Sequence, residues 1–144
     1  MIFKANDNKT YAEEIANIEK HCFSTPWTKE QIISSNDSTV FFLAKIEEKC
    51  VGYGGMYTVL SEGYVTNIGV LPEYRKKGIG QRLLDKLLDY SKENKLSFLS
   101  LEVRVSNSAA IFLYEKNGFR KIGVRKNFYS NPKEDALIMT RYFE

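Results

Sequence analysis

Three consecutive cations followed by two closely spaced glycines make Arg75-Lys76-Lys77-Gly78-Ile79-Gly80-Gln81 the stretch best suited to hold an anion. It joins a predicted strand to an amphipathic helix, and the first N–H groups of a helix have no partners within it. Glycine lets the backbone approach a ligand closely, while the helix dipole adds positive potential. These properties predict a phosphate-binding loop, although a surface turn with solvated lysines would account for this stretch equally well.

Two nucleotide-binding motifs are excluded at this loop. A dinucleotide fingerprint needs a third glycine three residues after the second, and Leu83 occupies that position. A Walker A loop needs Lys and then Ser or Thr after its last glycine, but Gly80 is followed by Gln81-Arg82. Neither nucleotide-binding fold is therefore predicted.

Three polar side chains further along the chain could serve a reaction. Glu102 lies on the polar face of an alternating strand, and the neighbouring Leu101 and Val103 face the other way. Asn107 and Tyr114 are nearly two helical turns apart, so both project from one side of a short helix. An exposed glutamate on a solvated sheet face and a tyrosine packed in the core are the structural alternatives.

The remaining reactive side chains are few. Cys22 falls on the apolar stripe of the first predicted helix and Cys50 begins a hairpin strand, so both are predicted to be buried structural thiols. His21, the only histidine, is predicted to lie on the surface or at a helix end. Two cysteines and one histidine cannot form a disulfide scaffold or a structural zinc site, and no metal is expected.

The elements that position these residues follow from hydrophobic spacing and capping patterns. Capping boxes at Thr10 and Thr28 predict two helix starts, and Asn107 is a plausible N-cap for the short helix. The predicted order is two helices, a hairpin (40–46 and 50–57), a strand (64–70), a leucine-striped helix, a strand (96–105), a short helix (108–117) and a last hairpin (121–129 and 135–142). This order indicates a mixed α/β sheet.

The composition restricts the class of protein to which the chain can belong. A length of 144 residues suits one domain, predicted to span 1–144, and 43% hydrophobic with 27% charged residues is typical of globular proteins. The net charge of +3 is too small for the basic footprint of a nucleic-acid binder. Apolar runs are too short to span a membrane, and no secretory signal is recognisable, so a cytoplasmic location is expected.

Three blocks of sequence, in order along the chain, carry a family resemblance. Tyr64 to Tyr74 forms a strand and a turn, Arg75 to Gly80 fits Arg/Gln-x-x-Gly-x-Gly/Ala, and Asn107 to Phe119 fits Asn-x-x-Ala-x-x-Leu-Tyr-x-x-x-Gly-Phe. Together they resemble the Gcn5-related N-acetyltransferases, the GNAT superfamily. Further segments (23–28, 101–107, 127–129 and 134–139) are similar to the bacterial ribosomal-protein alanine N-terminal acetyltransferases, the RimI type. One departure is Gln81, where a basic residue would be expected.

The resemblance implies an α/β (α+β) fold with a mixed, mostly antiparallel central sheet flanked by about four helices, and acetyl-CoA as the acetyl donor. It implies that Arg75 to Gln81 hold the pyrophosphate and that Asn107 contacts the pantetheine arm. The backbone of Ile68, Gly69 and Val70 is expected to pair with pantetheine like an added strand, and Gly69 suits a bulge there.

The resemblance also assigns catalytic roles. Acetyl transfer to an amine needs a base for the ammonium group and stabilisation of the leaving thiolate. Glu102 is the expected general base and Tyr114 the expected general acid, in a direct attack by the amine without an acyl-cysteine intermediate. Partial burial of Glu102 would favour its role as a base.

The acceptor implied by the RimI type is a protein N-terminus, the alanine of a small-subunit ribosomal protein. Trp27, Tyr129 and the pair Glu134-Asp135 match segments that could line such a site, although core or lid packing would explain them as well. A lysine, a polyamine or an aminoglycoside is an alternative acceptor. Two other classes stay open: a non-catalytic acyl-CoA-binding module, and an RNA-binding domain, which the small charge and missing RNA motifs oppose.

Overall fold

The chain folds into a seven-stranded sheet covered by helices, in a computed structural model that describes residues 1–143. This confirms the predicted mixed, mostly antiparallel sheet with four helices, and only the short first strand was not predicted. No helix within 1–143 is long and apolar enough to cross a membrane. The elements are β1 Ile2–Lys4, α1 Ala12–Cys22, α2 Lys29–Ile33, β2 Val40–Ile46, β3 Lys49–Val59, β4 Glu62–Val70, α3 Ile79–Glu93, β5 Phe98–Arg104, α4 Ser108–Lys116, β6 Arg120–Tyr129 and β7 Glu134–Tyr142.

The centre of the sheet contains a gap. The strand order is β1-β2-β3-β4-β5-β7-β6, and β4 with β5 is the one parallel pair among the described strands. This pairing covers only Glu62–Tyr64 against Phe98–Ser100, whereas β3 pairs with β4 up to Val70. Beyond Tyr64, β4 and β5 therefore diverge, and the polar edges of both strands face an opening.

Different helices cover the two faces of the sheet. A Cβ built at Gly69 would lie 3.3 Å from both Cys22 Sγ and Ile18 Cγ2, so this face carries α1, with α2 beside it. A Cβ at Gly52 would lie 3.3 Å from Leu83 Cδ1, so the opposite face carries α3. The predicted leucine stripe of α3 is buried there, at Leu83, Leu84, Leu87 and Leu88.

The two predicted capping boxes have different outcomes. Thr28 and Gln31 form the predicted box: Gln31 N donates to Thr28 Oγ1 at 3.2 Å, and Thr28 N donates to Gln31 Oε1 at 2.8 Å. The box at Thr10 is wrong. The carboxylate of Asp7 accepts from the Thr10 amide at 2.7 Å and from its hydroxyl at 3.0 Å, so α1 begins later, at Ala12, without a side-chain cap.

The bulge predicted at Gly69 is also wrong. Gly69 pairs in regular register with Tyr53, and the extra residue of β4 is Thr66, between Asn67 and Val65. A side chain at position 69 would crowd α1 and the residue after it, since a Cβ there would lie 3.2 Å from Phe23 Cε2 in addition to the contacts with Cys22 and Ile18 described above. Sequence alone did not distinguish this packing role from a backbone irregularity.

Candidate active site

A cavity of about 400 Å³ occupies the gap between β4 and β5. Its lining comes from both faces of the sheet. Ser24, from the segment after α1, and Glu102 of β5 line it together with Asn107, the N-cap of α4, and Ala110 and Tyr114 of α4. Ser24 belongs to the side of α1, because it is bonded to Arg104 on the same face of β5 as Glu102, whereas α4 is tied to α3 through Asn117 and Gln81. The cavity thus connects the face covered by α1 with the face covered by α3 and α4.

The edge of β4 presents free backbone groups to this gap. Leu71 N donates to Val51 O at 2.8 Å, and hydrogen-bonding direction alternates along an antiparallel ladder, so Gly69 is bonded to β3. The intervening Ile68 and Val70 therefore direct their N–H and C=O groups away from β3. Consistent with this, Val70 O accepts from Arg75 Nε at 2.8 Å. Of the three residues predicted to pair with pantetheine, Ile68 and Val70 have the required orientation and Gly69 does not.

The N-terminus of α3 has the properties of an anion site. Gly78 is the N-cap with φ of 80°, and no side chain caps the helix. The first helical bond is donated by Arg82 N to Gly78 O, so the amides of Ile79, Gly80 and Gln81 have no partner within α3. No acidic residue lies in the first turn. These three amides and the helix dipole together favour a phosphate group.

The side chains of this loop divide into two groups. Lys76 and Lys77 are exposed, and Lys76 has a φ of 63°, in the left-handed region that non-glycine residues adopt infrequently. By contrast, Arg75 is bonded to Val70 O, and Gln81 forms a two-way amide pair with Asn117 at 2.8 and 2.9 Å. The glutamine that departs from the expected basic residue therefore ties α3 to the end of α4.

Glu102 lines the cavity and is ion-paired. Its Oε2 lies 2.7 Å from Arg125 Nε, and its side chain is 31% exposed, so the carboxylate is partly buried. Sequence reasoning missed Arg125, because β7 lies between β5 and β6 and the strand order cannot be derived from the local pattern. Tyr129 lies nearby: burial, with the Glu102 charge adding to it, raises the pKa of its hydroxyl to about 12.

Asn107 and Tyr114 reach the same cavity, as their spacing predicts. Asn107 Oδ1 accepts from Ala110 N at 3.2 Å, which confirms the predicted N-cap and leaves the Nδ2 group available to a ligand. Tyr114 is 8% exposed, and none of the hydrogen bonds among residues 1–143 involves its hydroxyl. Burial raises the pKa of Tyr114 to about 12, so the hydroxyl keeps its proton at neutral pH and remains a donor.

The cysteines and the histidine have no evident catalytic placement. Cys50 is buried, whereas Cys22 is half-buried at the cavity wall and donates to Val70 O at 3.3 Å. Burial raises the pKa of the Cys22 thiol, which disfavours the nucleophilic thiolate. His21 is exposed at the end of α1, with Nδ1 2.8 Å from Asn17 O, as predicted. Within residues 1–143, no group of three or more His, Cys, Asp or Glu side chains could hold a metal ion.

A buried carboxylate that sequence reasoning did not identify positions the wall of the cavity. Glu19 is fully buried in α1 and accepts from the Tyr53 hydroxyl, from Asn67 Nδ2 at 3.0 Å and from Trp27 N at 2.9 Å. It thereby joins α1 to β3, to β4 and to the segment before α2. Trp27 itself packs on the core rather than lining the cavity; of the suggested acceptor-site residues, only Tyr129 lines it.

Glu19→Gln should lower the free energy of unfolding by roughly 2 kcal/mol, because one carboxylate oxygen is replaced by an NH₂ group that faces donors. The exposed Glu13 on the same helix provides the matched control, and Glu13→Gln should leave stability unchanged within about 0.5 kcal/mol. Urea denaturation of both variants measures the difference. Equal stabilities would show that the Glu19 network contributes nothing to folding.

Two parallel strands diverge over a cavity, helix amides are placed for a phosphate, and a tyrosine and a carboxylate lie on the two sides. This is the arrangement of an acyl-CoA-dependent N-acyltransferase. The sequence model of the Acetyltransferase (GNAT) family matches residues 12–119, and the chain belongs to this family. The protein is thus an acetyl-CoA-dependent N-acetyltransferase, as the resemblance implied.

Several individual proteins are similar to this chain over most of their length. The ribosomal protein bS18-alanine N-acetyltransferase of Haemophilus influenzae is 38% identical over 134 residues, covering 90% of this chain and 91% of that protein. The protein of the same name from Escherichia coli (strain K12) is 35% identical over 127 residues, 85% of each. The crystal structure of the ribosomal-protein-S18-alanine N-acetyltransferase from Escherichia coli matches with a TM-score of 0.89 and 32% identity, covering 99% of this chain and 94% of that one. The resemblance to the RimI type is confirmed.

Proposed function

We propose that residues 1–144 act as one domain that transfers an acetyl group from acetyl-CoA to the N-terminal alanine of a small-subunit ribosomal protein, bS18 by analogy with the relatives. The single observation that carries the reaction is that Glu102 and Tyr114 line the same cavity, in the gap between β4 and β5. The names of relatives similar over most of their length support the acceptor. A ribosomal acceptor also supports a cytoplasmic site of action.

The donor would bind on the α3 and α4 side. The amides of Ile79, Gly80 and Gln81 would hold the pyrophosphate, with Lys76 and Lys77 adding charge at the exposed loop. The backbone N–H and C=O of Ile68 and the N–H of Val70, which face away from β3, would pair with pantetheine along the edge of β4, and Asn107 Nδ2 would donate to it from the N-cap of α4. These groups would direct the thioester towards the Tyr114 hydroxyl.

The reaction would be a direct displacement at the thioester carbonyl. Glu102, which lies beside Arg125, takes a proton from the acceptor ammonium, so that the amine nitrogen can form the new C–N bond. As the tetrahedral intermediate collapses, the C–S bond breaks, and the surplus proton that remains on the nitrogen passes to the departing thiolate, so that the products are the amide and the free thiol of CoA. Tyr114 donates a hydrogen bond to the departing thiolate, which completes the transfer without a covalent acetyl-enzyme.

Gly78→Val should weaken acetyl-CoA binding roughly tenfold, because a β-branched residue is strained at φ of 80° and the helix amides would shift. No atom lies within 4 Å of a Cβ at this position, so the effect comes from the backbone and not from a clash in the free protein. Gly78→Asn is the matched control, since Asn tolerates the left-handed region. Titration calorimetry measures the affinity of both variants for acetyl-CoA. If Gly78→Val binds acetyl-CoA as tightly as the wild type and Gly78→Asn do, the loop is not part of the donor site.

The acceptor is tested with acetyl-CoA and a panel of amines, read by mass spectrometry. The panel comprises an Ala-starting ribosomal peptide, the same peptide with a blocked N-terminus and an internal lysine, a polyamine and an aminoglycoside. Acetylation of the first peptide at its α-amine alone is expected. Acetylation of the blocked peptide or of a small amine would replace the proposed acceptor, and binding of acetyl-CoA without any transfer would indicate a non-catalytic module.

A further inference from the structure

The guanidinium of Arg104 lies between two segments that border the acceptor end of the cavity. Its Nη2 donates to Ser24 Oγ, after α1, and to Ser130 O, in the β6–β7 turn, both at 3.1 Å. Its Nη1 donates to Pro132 O at 2.8 Å and contacts Glu134 Oε1 at 3.1 Å. Four acceptors from two separate segments therefore meet at one side chain.

Arg104 also covers the tyrosine of this end of the cavity. Its guanidinium carbon lies 4.4 Å from the centre of the Tyr129 ring, and the side chain is only 23% exposed. Besides Arg104, the hydrogen bonds of the described residues join these two segments only through Ser24 Oγ and Ser130 O, at 3.4 Å. Arg104 is thus the principal connection between them, two positions after Glu102 on the same face of β5.

The shape of this contact requires arginine. A guanidinium is planar and directs several N–H groups in fixed directions, so one side chain can bond two carbonyls, a hydroxyl and a carboxylate while its face stacks on an aromatic ring. An ammonium group is a point charge and cannot bond both segments with the same geometry. The joined segments form a bridge, made of 24–25 and 129–134, across the acceptor end of the cavity.

We propose that Arg104 is a positioning residue that fixes the width of this bridge and so selects the acceptor. A closed bridge admits the narrow, extended end of a peptide chain and presents Tyr129 along it. The inference rests on the proposed function, since it concerns how an N-terminal peptide reaches Glu102. A free amino acid amide is too short to extend beyond the bridge and should be insensitive to it.

Arg104→Lys tests the proposal, with Arg120→Lys as the matched control at an exposed residue of β6. For Arg104→Lys we expect the KM of an Ala-starting peptide to rise roughly tenfold, about the loss of one charge-assisted hydrogen bond, with kcat nearly unchanged. The kcat/KM for alaninamide and the affinity for acetyl-CoA should stay at the wild-type values. Ser24→Ala should change the peptide KM in the same direction and less.

Hydrogen exchange separates this inference from the proposed function. In Arg104→Lys, amides at the end of the β6–β7 hairpin, where Tyr129 pairs with Glu134, should exchange faster while α3 is unaffected, and Arg120→Lys should match the wild type. Unchanged exchange at this end of the hairpin overturns the bridge whatever the acceptor is, and a wild-type peptide KM in Arg104→Lys overturns its role in selection. If the wild-type protein acetylates lysine or a polyamine instead of the peptide, the proposed acceptor fails and, with it, the peptide selection assigned to Arg104.

Discussion

Glu102→Gln is expected to lower the turnover number by roughly 10²- to 10⁴-fold, the range typical of a lost general base. The amide keeps the size of the side chain but cannot accept a proton from the ammonium group. Because Glu102 lies at the acceptor end of the cavity, away from the N-terminus of α3, the affinity for acetyl-CoA should change little. Initial-rate assays with the peptide acceptor measure the turnover number, and titration calorimetry measures the affinity for acetyl-CoA.

Two controls make this result specific to Glu102. Glu93→Gln, at an exposed position near the end of α3, changes the same chemistry away from the cavity and should keep wild-type turnover. A melting curve shows whether loss of the ion pair with Arg125 unfolds the protein, and an exposed pair of this kind contributes at most about 1 kcal/mol. Full turnover of a folded Glu102→Gln at neutral pH would assign Glu102 to the solvated face of the sheet.

Tyr114→Phe should slow acetyl transfer roughly ten- to hundredfold while the ring keeps its packing. The hydroxyl pKa of about 12 lies well above that of a thiol, roughly 8.5 for free cysteine, so complete proton transfer to the thiolate is unfavourable. Under the proposed function, Tyr114 would therefore act chiefly as a hydrogen-bond donor to the developing charge, and not as the full general acid that the resemblance implies. This makes the expected loss smaller than that for Glu102.

The donor provides the decisive comparison for Tyr114. An acetyl thioester of a more acidic thiol needs less stabilisation as it leaves, so the ratio of wild-type to mutant rates should be smaller than with acetyl-CoA. Thermal stability should be almost unchanged, because the hydroxyl makes no hydrogen bond within the described protein. Equal rate losses with both donors, together with a lower melting temperature, would make Tyr114 a core residue only.

The sequence predicts local structure around the candidate site well, because such features depend on residues that are neighbours along the chain. The strand-to-helix junction before α3, the Asn107 cap and the spacing from Asn107 to Tyr114 are local, and all three are found in the structure. The Thr28 capping box is equally local. The bulge was misplaced at Gly69 because a glycine in a strand has the same sequence signal whether it kinks the backbone or accommodates a helix.

Contacts between distant segments could not be predicted in this way. The pairing of Glu102 with Arg125 depends on β7 lying between β5 and β6, and the contacts of Arg104 join positions 24 and 130. The burial of Glu19 could not be predicted from its residue type, because a glutamate is almost never fully buried unless partners surround it. The contacts of these residues become identifiable only once the tertiary structure is known.

The early divergence of β4 and β5 has a consequence for inhibitor design. Under the proposed function, the two substrates enter the cavity from opposite faces of the sheet. Each can therefore bind and dissociate without passing through the opening that the other uses. A bisubstrate compound would have to be slender at its middle, where it passes the unpaired edge of β4, and could be bulky only at its two ends. The linker that joins the two ends of such a compound must therefore be about as long as one layer of strands is thick.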